Sequence, residues 1–218
     1  ICELRHGEPL RLFRVYEHLY TELTGQEMPE RLPLLPGFQL NIVEKKMRMV
    51  VDPQRTAVVL GYVPNTGYCV SNAMGVFRKV RELVELPTIV RFGLRSYWVQ
   101  ASNLSFQGLV AHHKQRVYKA SVIVEEATDV AASFVLRFED YAADFNFGPM
   151  ERSQLKERLL FPPEDLPEVV DFLDVDVFKK GEGMEVTDRT IREFVQQGLK
   201  YATRVSKRVT EALGEERS

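Results

Sequence analysis

Three side chains that can hold an anion recur on one side of a short stretch of this chain. Arg91, Arg95 and Tyr97 are separated by even numbers of residues, so in a strand they project to the same face. A guanidinium group matches a phosphate or a carboxylate through two parallel hydrogen bonds. Arg116, further along the chain, supplies another guanidinium. These four residues predict a binding face for an anionic small molecule or a protein partner.

Two aspartates occupy a comparable position in a later stretch. Asp174 and Asp176 are two residues apart, so in a strand they share one face. If that strand lies near the arginines, the aspartates form structural ion pairs with them. If it faces a cleft, they present oxygens to a divalent cation, and the alternative is a metal-dependent phosphoester hydrolase. The further ligands that such a centre needs would be of the kind of His112, His113 or Asp144.

The two adjacent histidines also have a simpler interpretation. His112 and His113 lie in a polar run with Lys114 and Arg116, which is typical of a solvent-exposed turn. Neighbouring side chains of a regular element point apart. We therefore do not expect the two imidazoles to bind one ion together.

A basic row lies near the end of the chain. Lys200, Arg204 and Arg208 recur every four residues and would form one stripe of a helix. Such a stripe could follow the phosphates of a nucleic acid. The alternative is that these cations only complement the carboxyl end of the helix.

The composition excludes several classes of protein. The chain has 218 residues, a formal charge of -2 and 44% hydrophobic residues, which is ordinary for a globular protein and gives no global attraction to nucleic acid or membrane. No apolar run approaches the roughly 20 residues of a membrane span. Cys2 and Cys69 are the two cysteines, and they suggest neither a zinc site nor a disulfide scaffold. A cytoplasmic, non-membrane protein is the expectation.

The standard catalytic motifs are missing from the sequence. It contains no glycine-rich phosphate loop, no HExxH, no GxSxG and no dinucleotide fingerprint. The sequence identifies no cofactor. A non-catalytic binding protein is therefore favoured over an enzyme.

The first half of the chain is expected to place the arginines on a strand. Apolar spacing predicts an opening helix from Pro9 to Gly25, and a proline-rich connector follows over 29–37. Two strands, 47–51 and 56–63, flank a turn-forming tetrapeptide and predict a hairpin. An amphipathic helix is predicted from Val70 to Leu86, with Ser71 or Asn72 as its cap. Pro64 to Gly67, just before it, is interpreted as a turn.

The second half is predicted to supply more sheet and one long helix. We predict a short helix over 102–113, an antiparallel strand pair over 117–125 and 131–139, and further strands over 141–147 and 169–178. The aromatic residues of this part alternate as core-facing strand residues do: Phe134, Phe138, Tyr141, Phe145 and Phe147. The last helix begins behind Thr187 or Asp188 and carries one stripe of small apolar residues: Ile191, Val195, Gly198, Ala202, Val205, Val209 and Ala212.

One stretch resembles a known family. The order strand, helix and then a strand with Arg91, Gly93, Leu94 and Arg95 resembles a sporadically distributed prokaryotic family of about this length that has no established function. In that family a Tyr and then an Asn follow the second Arg closely. Here Ser96 follows it and Tyr97 comes one residue later, so that Tyr97 lies on the strand face opposite to that of the family's Tyr. The resemblance covers Met47 to Val99 and implies an α+β fold and no particular reaction.

These observations together predict a single α+β domain over 1–218, with two sub-lobes, 1–100 and 101–218, as a further option. Its sheet is expected to be largely antiparallel, with amphipathic helices and a long C-terminal helix packed on it. The favoured function is binding through the arginine-bearing face. The alternative is an apolar small-ligand pocket under the long helix, as in helix-grip proteins.

Overall fold

The chain folds into α+β structure in which a long C-terminal helix packs against a largely antiparallel sheet. In the computed structural model, residues 1–7, 18, 21, 22, 25, 38–83, 88–118, 126–138 and 140–214 are described. The predicted opening helix and the connector over 29–37 lie outside these residues, apart from four isolated positions of the helix.

Eight strands and four α-helices are found among the described residues. The strands are β1 (Cys2–His6), β2 (Phe38–Ile42), β3 (Met47–Val51), β4 (Arg55–Leu60), β5 (Ile89–Ala101), β6 (Ala132–Phe138), β7 (Tyr141–Glu151) and β8 (Val169–Met184). The helices are α1 (Thr66–Leu83), α2 (Phe106–Val117), α3 (Arg152–Arg158) and α4 (Asp188–Gly214).

The chain divides into two compact units. Unit 1 contains Ile1–Leu94 and Phe178–Leu199, and unit 2 contains Arg95–Val177 and Lys200–Ser218. Strands β5 and β8 and helix α4 each contribute one part to unit 1 and the other part to unit 2. The division thus differs from lobes of 1–100 and 101–218, because the segment 178–199 belongs with the first unit.

Unit 1 contains the predicted hairpin. Strands β3 and β4 pair antiparallel, with Met47 opposite Leu60 and Val51 opposite Thr56, as predicted. Asp52 fixes the turn, because its Oδ1 accepts hydrogen bonds from the backbone N–H groups of Gln54 and Arg55, both at 2.9 Å. The strand order in this unit is β2-β3-β4-β1-β5-β8.

Helix α1 begins four residues before the predicted start. Asn65 caps it, because the side-chain Oδ1 accepts from the backbone N–H of Tyr68 at 2.9 Å. The caps proposed from sequence, Ser71 and Asn72, lie inside the helix, and Gly67 belongs to its first turn. The apolar face is the predicted one, and Phe77 at 0% exposure is among its most buried side chains.

The first part of α4 completes the core of unit 1. Phe194 stacks on Phe92 of β5 with ring centroids 4.0 Å apart, and Phe92 meets Phe77 edge to face. Gly198 allows the helix to approach the sheet closely, since a Cβ there would lie 3.1 Å from Cδ2 of Leu94. Thr187 caps the helix, as predicted, by accepting from the backbone N–H of Thr190.

Unit 2 contains a sheet of order β5-β8-β7-β6. Strands β6 and β7 form a hairpin, with Ala132 opposite Phe147 and Phe138 opposite Tyr141. The sequence did not predict this hairpin but a pairing of 131–139 with 117–125. Val117 is the last residue of α2, and residues 119–125 lie outside the described residues. Helix α2 itself begins later than predicted, behind Ser105, whose Oγ accepts from the N–H of Gly108.

The two faces of β8 in unit 2 pack against different elements. Leu173, Val175 and Val177 share a hydrophobic cluster with the last part of α4, which confirms the predicted inward face. Phe172 packs with Leu155 of α3 on the other face. The predicted stripe of α4 is wrong at Ala212, which is exposed, whereas Leu213, expected on the flank of that stripe, is buried.

Candidate ligand-binding site

Arg91, the first predicted anion-binding residue, is nearly buried in unit 1. Its side chain is 11% exposed, and Nη1 donates to the Glu3 carboxylate at 3.1 Å. The guanidinium also lies over the Phe178 ring, 4.9 Å from the centroid. Gly93 makes room for it, because a Cβ at position 93 would collide with this guanidinium. The glycine two residues after Arg91 thus has a packing role.

Arg95, in unit 2, forms the structural ion pair that was the alternative to a ligand site. Its Nε donates to Oδ1 of Asp174 at 2.8 Å, and Nη2 donates to Oδ2 of the same carboxylate. Asp174 is 2% exposed, whereas the Arg95 side chain remains 39% exposed. This bidentate contact raises the pKa of Arg95, which stays protonated.

Sequence reasoning missed a second guanidinium at this carboxylate. Nη2 of Arg158, from α3, donates to Oδ2 of Asp174 at 3.2 Å, and the Arg158 side chain is 48% exposed. No local spacing connects positions 158 and 174, so only the packing of α3 on β8 brings them together.

Tyr97 lies beside this ion cluster. Its ring is 5.5 Å from the Arg95 guanidinium carbon and 5.5 Å from the Phe172 ring. Burial raises the pKa of the Tyr97 hydroxyl, and Arg95 partly opposes that shift. The phenol is therefore neutral at physiological pH.

Arg116, the fourth predicted residue, lies on the other side of the unit 2 sheet. It is an exposed residue of α2. That helix reaches β8 through Asp171, and in a strand Asp171 and Asp174 point to opposite faces because they are three residues apart. Arg95 and Tyr97 are brought together by the fold, and Arg116 is not placed with them.

The aspartates that suggested a metal centre are engaged by cations. Asp174 accepts from both Arg95 and Arg158. Asp176 is half-buried, and its carboxylate lies close enough to Arg95 to raise the pKa of that arginine further. Within the part of the chain that the structure describes, no cluster of three or more His, Cys, Asp or Glu side chains could hold a metal ion. The Asp174 carboxylate thus binds two guanidinium groups, where the metal hypothesis expected it to bind a divalent cation.

The histidine pair is helical, so its assignment to a solvent-exposed turn is wrong. His113 is 1% exposed, and its Nε2 lies 2.6 Å from Oδ1 of Asp171. An ionised carboxylate only accepts, so Nε2 carries the proton of this bond. His112 points elsewhere, as predicted, and its Nε2 lies 2.8 Å from the Leu213 carbonyl near the carboxyl end of α4. The two histidines therefore fix α2 to β8 and to α4.

A cavity of about 100 Å³ lies in unit 2, beneath the last part of α4. A water molecule needs about 10–15 Å³ on a comparable scale, so the space could take a small organic molecule. Most of its wall is apolar and comes from the sheet and from α4: Trp98, Phe147, Leu173, Val209 and Leu213. Trp98 is the only tryptophan of the chain.

Oxygen atoms mark the polar edge of this cavity. Asp171 lines it and is 15% exposed, while the same carboxylate binds the buried His113. Ser206 also lines it, and its Oγ donates to the Thr203 carbonyl at 3.1 Å within the helix. The lining residues include no lysine, arginine or histidine among those described. The cavity is thus apolar with an acidic edge.

The basic row predicted near the end of the chain lies at the surface, because its three residues are exposed on α4: Lys200, Arg204 and Arg208. Their binding to nucleic acid remains a prediction.

Phe145 and Phe147 are buried as predicted, but Phe134 is 47% exposed and stacks on Phe145 from the outside.

The two cysteines are close together in unit 1, which their spacing in sequence does not suggest. Cys2 and Cys69 are buried free thiols whose Sγ atoms are 3.8 Å apart. The neighbouring thiol and burial both raise the pKa of Cys2. Strand β1 and the first turn of α1 position them.

Comparisons with known proteins give no independent identification. The chain matches no family model, no curated protein and no solved structure. The resemblance carried by Arg91, Gly93, Leu94 and Arg95 remains a prediction. Among the described residues, no helix is both long and apolar enough to cross a membrane.

Proposed function

We propose that this protein binds a small, largely apolar molecule in the cavity of unit 2. The single observation that carries this proposal is the cavity of about 100 Å³ between the sheet and α4. Ligand sites are typically concave and apolar with a few placed polar groups, and Trp98, Phe147 and Asp171 give the cavity that character.

The size of the cavity limits the ligand. An apolar cavity of about 150 Å³ in a protein interior accommodates benzene. We therefore expect a molecule of about four to six non-hydrogen atoms to fill the space. The contact between His112 and the Leu213 carbonyl holds that end of the helix in place.

The test uses the sole tryptophan as a reporter. Because Trp98 lines the cavity, titration with benzene should change its fluorescence in a saturable manner. Val209→Phe fills the cavity from α4 and should abolish this response. Val135→Phe is the matched control, since Val135 is 68% exposed in the same unit and its substitution should leave the response intact.

A second cavity-filling variant protects the test against misfolding. Ser206→Leu adds apolar volume from the neighbouring turn of the same helix, and circular dichroism identifies which variants keep the native helix content. A saturable response that persists in a folded Val209→Phe or Ser206→Leu protein would place benzene outside the cavity and refute the proposal. Absence of any saturable response in the wild type would refute it as well.

The arginine face supports a second candidate, an anionic ligand or partner. Arg95 and Arg158 share one buried carboxylate while each remains more than a third exposed, so donors of both groups can reach an anion. Titration with inorganic phosphate should move the ¹⁵N signals of Arg95 Nε, and Arg158→Gln should weaken that response. Unchanged phosphate binding in Arg95→Gln, combined with lower stability, would reduce this face to a structural role.

A further inference from the structure

We infer that the cavity of unit 2 selects a ligand with a protonated amine on a short apolar body. This inference rests on the proposed function and adds the chemistry of the ligand's polar end. Its starting point is Asp171, whose carboxylate lines the cavity.

Within the described part of the chain, the Asp171 side chain takes part in one hydrogen bond, in which Oδ1 accepts from Nε2 of His113. A carboxylate offers about four acceptor positions, so one bond leaves acceptor capacity at the cavity edge. The Asp171 carboxylate faces an otherwise largely apolar wall.

Three further polar side chains line the cavity: Gln100, Ser206 and Thr210. The hydroxyl hydrogen of Ser206 is directed to the Thr203 carbonyl, so its oxygen presents lone pairs. Asp171 and Ser206 therefore both accept, and Gln100 and Thr210 can accept as well as donate. A ligand satisfies this set best as a donor. An ammonium group has three donors and no acceptor.

The charges of the cavity wall also favour a cationic ligand. No cationic side chain lines the cavity among the described residues, so a ligand carboxylate or phosphate would meet Asp171 without compensation. An ammonium group pairs with Asp171 and can also lie against the faces of Trp98 and Phe147. The rest of the wall then accommodates a short hydrocarbon chain.

Three probes of equal chain length test this selection on the full-length protein. Butylammonium, 1-butanol and butyrate share a four-carbon body and differ in the polar end. Followed by Trp98 fluorescence, butylammonium should bind at least tenfold more tightly than 1-butanol, and butyrate should give no saturable change.

A pair of aspartate variants identifies the recognising group. Asp171→Asn keeps an oxygen that can accept from His113, so the fold is retained while the charge is lost. It should weaken butylammonium at least tenfold and leave 1-butanol unchanged. Asp165→Asn removes an exposed carboxylate of the same unit and should change neither.

The outcomes separate this inference from the proposed function. If 1-butanol binds as tightly as butylammonium, or if Asp171→Asn has no effect on butylammonium, the amine selection is wrong and the cavity remains a ligand site. Preferential binding of butyrate would likewise overturn the selection. If none of the three probes and no benzene gives a saturable change, the proposed function itself is wrong.

Discussion

Replacement of Arg95 by Gln should destabilise unit 2 by about 2 kcal/mol. The buried carboxylate of Asp174 is 2% exposed, and Arg95 donates two of the three hydrogen bonds that it accepts from described residues. Breaking a buried ion pair costs about 3–5 kcal/mol. We expect a smaller loss because the Arg95 side chain is 39% exposed and Arg158 retains one bond.

The matched variant is Arg158→Gln. Its contact with Asp174 is longer, 3.2 Å, and the arginine is 48% exposed, so its loss should cost less than about 1 kcal/mol. Urea unfolding followed by Trp98 fluorescence measures both variants, because the tryptophan lies in unit 2. Equal losses in the two variants, or a loss below about 0.5 kcal/mol in Arg95→Gln, would refute this view of Asp174.

Three further predictions concern unit 1. Burial lowers the pKa of His6 from 6.5, so the unfolded chain binds the proton more readily than the folded chain does. The contribution of His6 to stability should therefore be complete above about pH 6.5 and should fall as the pH decreases below that value. Denaturant unfolding at pH 7.5 and 5.5 measures this fall, which His6→Gln should remove. Because Cys2 is 1% exposed and its pKa is raised, iodoacetamide should label it far more slowly in the native protein than in urea, and equal rates would contradict its burial. Gly198→Val should lower the free energy of unfolding by about 1–3 kcal/mol, because the added side chain would crowd Leu94. Thermal melting measures this loss. Gly75→Val is the control that should not show it, since a Cβ at position 75 meets nothing within 4 Å.

Local periodicity was sufficient to predict much of the fold. The turn at Asp52 and the alternation of the flanking strands specify the β3–β4 hairpin, and apolar residues three and four apart specify α4. A strand partner that is chosen over distance was harder to predict. Strand 132–138 has the same alternation whichever neighbour it pairs with, so the sequence did not predict its pairing with β7.

The candidate site was less predictable than the fold. The strand faces of Arg95 and Asp174 were correctly assigned from their alternation, and an ion pair between such strands was one of the two alternatives. The burial of His113 was missed, although it lies four residues after the buried Leu109 and so continues an apolar helix stripe. The cavity has no local signature, because its volume depends on how α4 packs over three strands.

Nuclear Overhauser effects between bound butylammonium or benzene and the protein test the central proposal most directly. The methyl groups of Val209 and Leu213 line the cavity, and that of Val135 is exposed in the same unit. We expect the ligand protons to give effects to Val209 and Leu213 and none to Val135. Effects confined to exposed methyl groups, or no effects at saturating ligand, would contradict a binding cavity in unit 2.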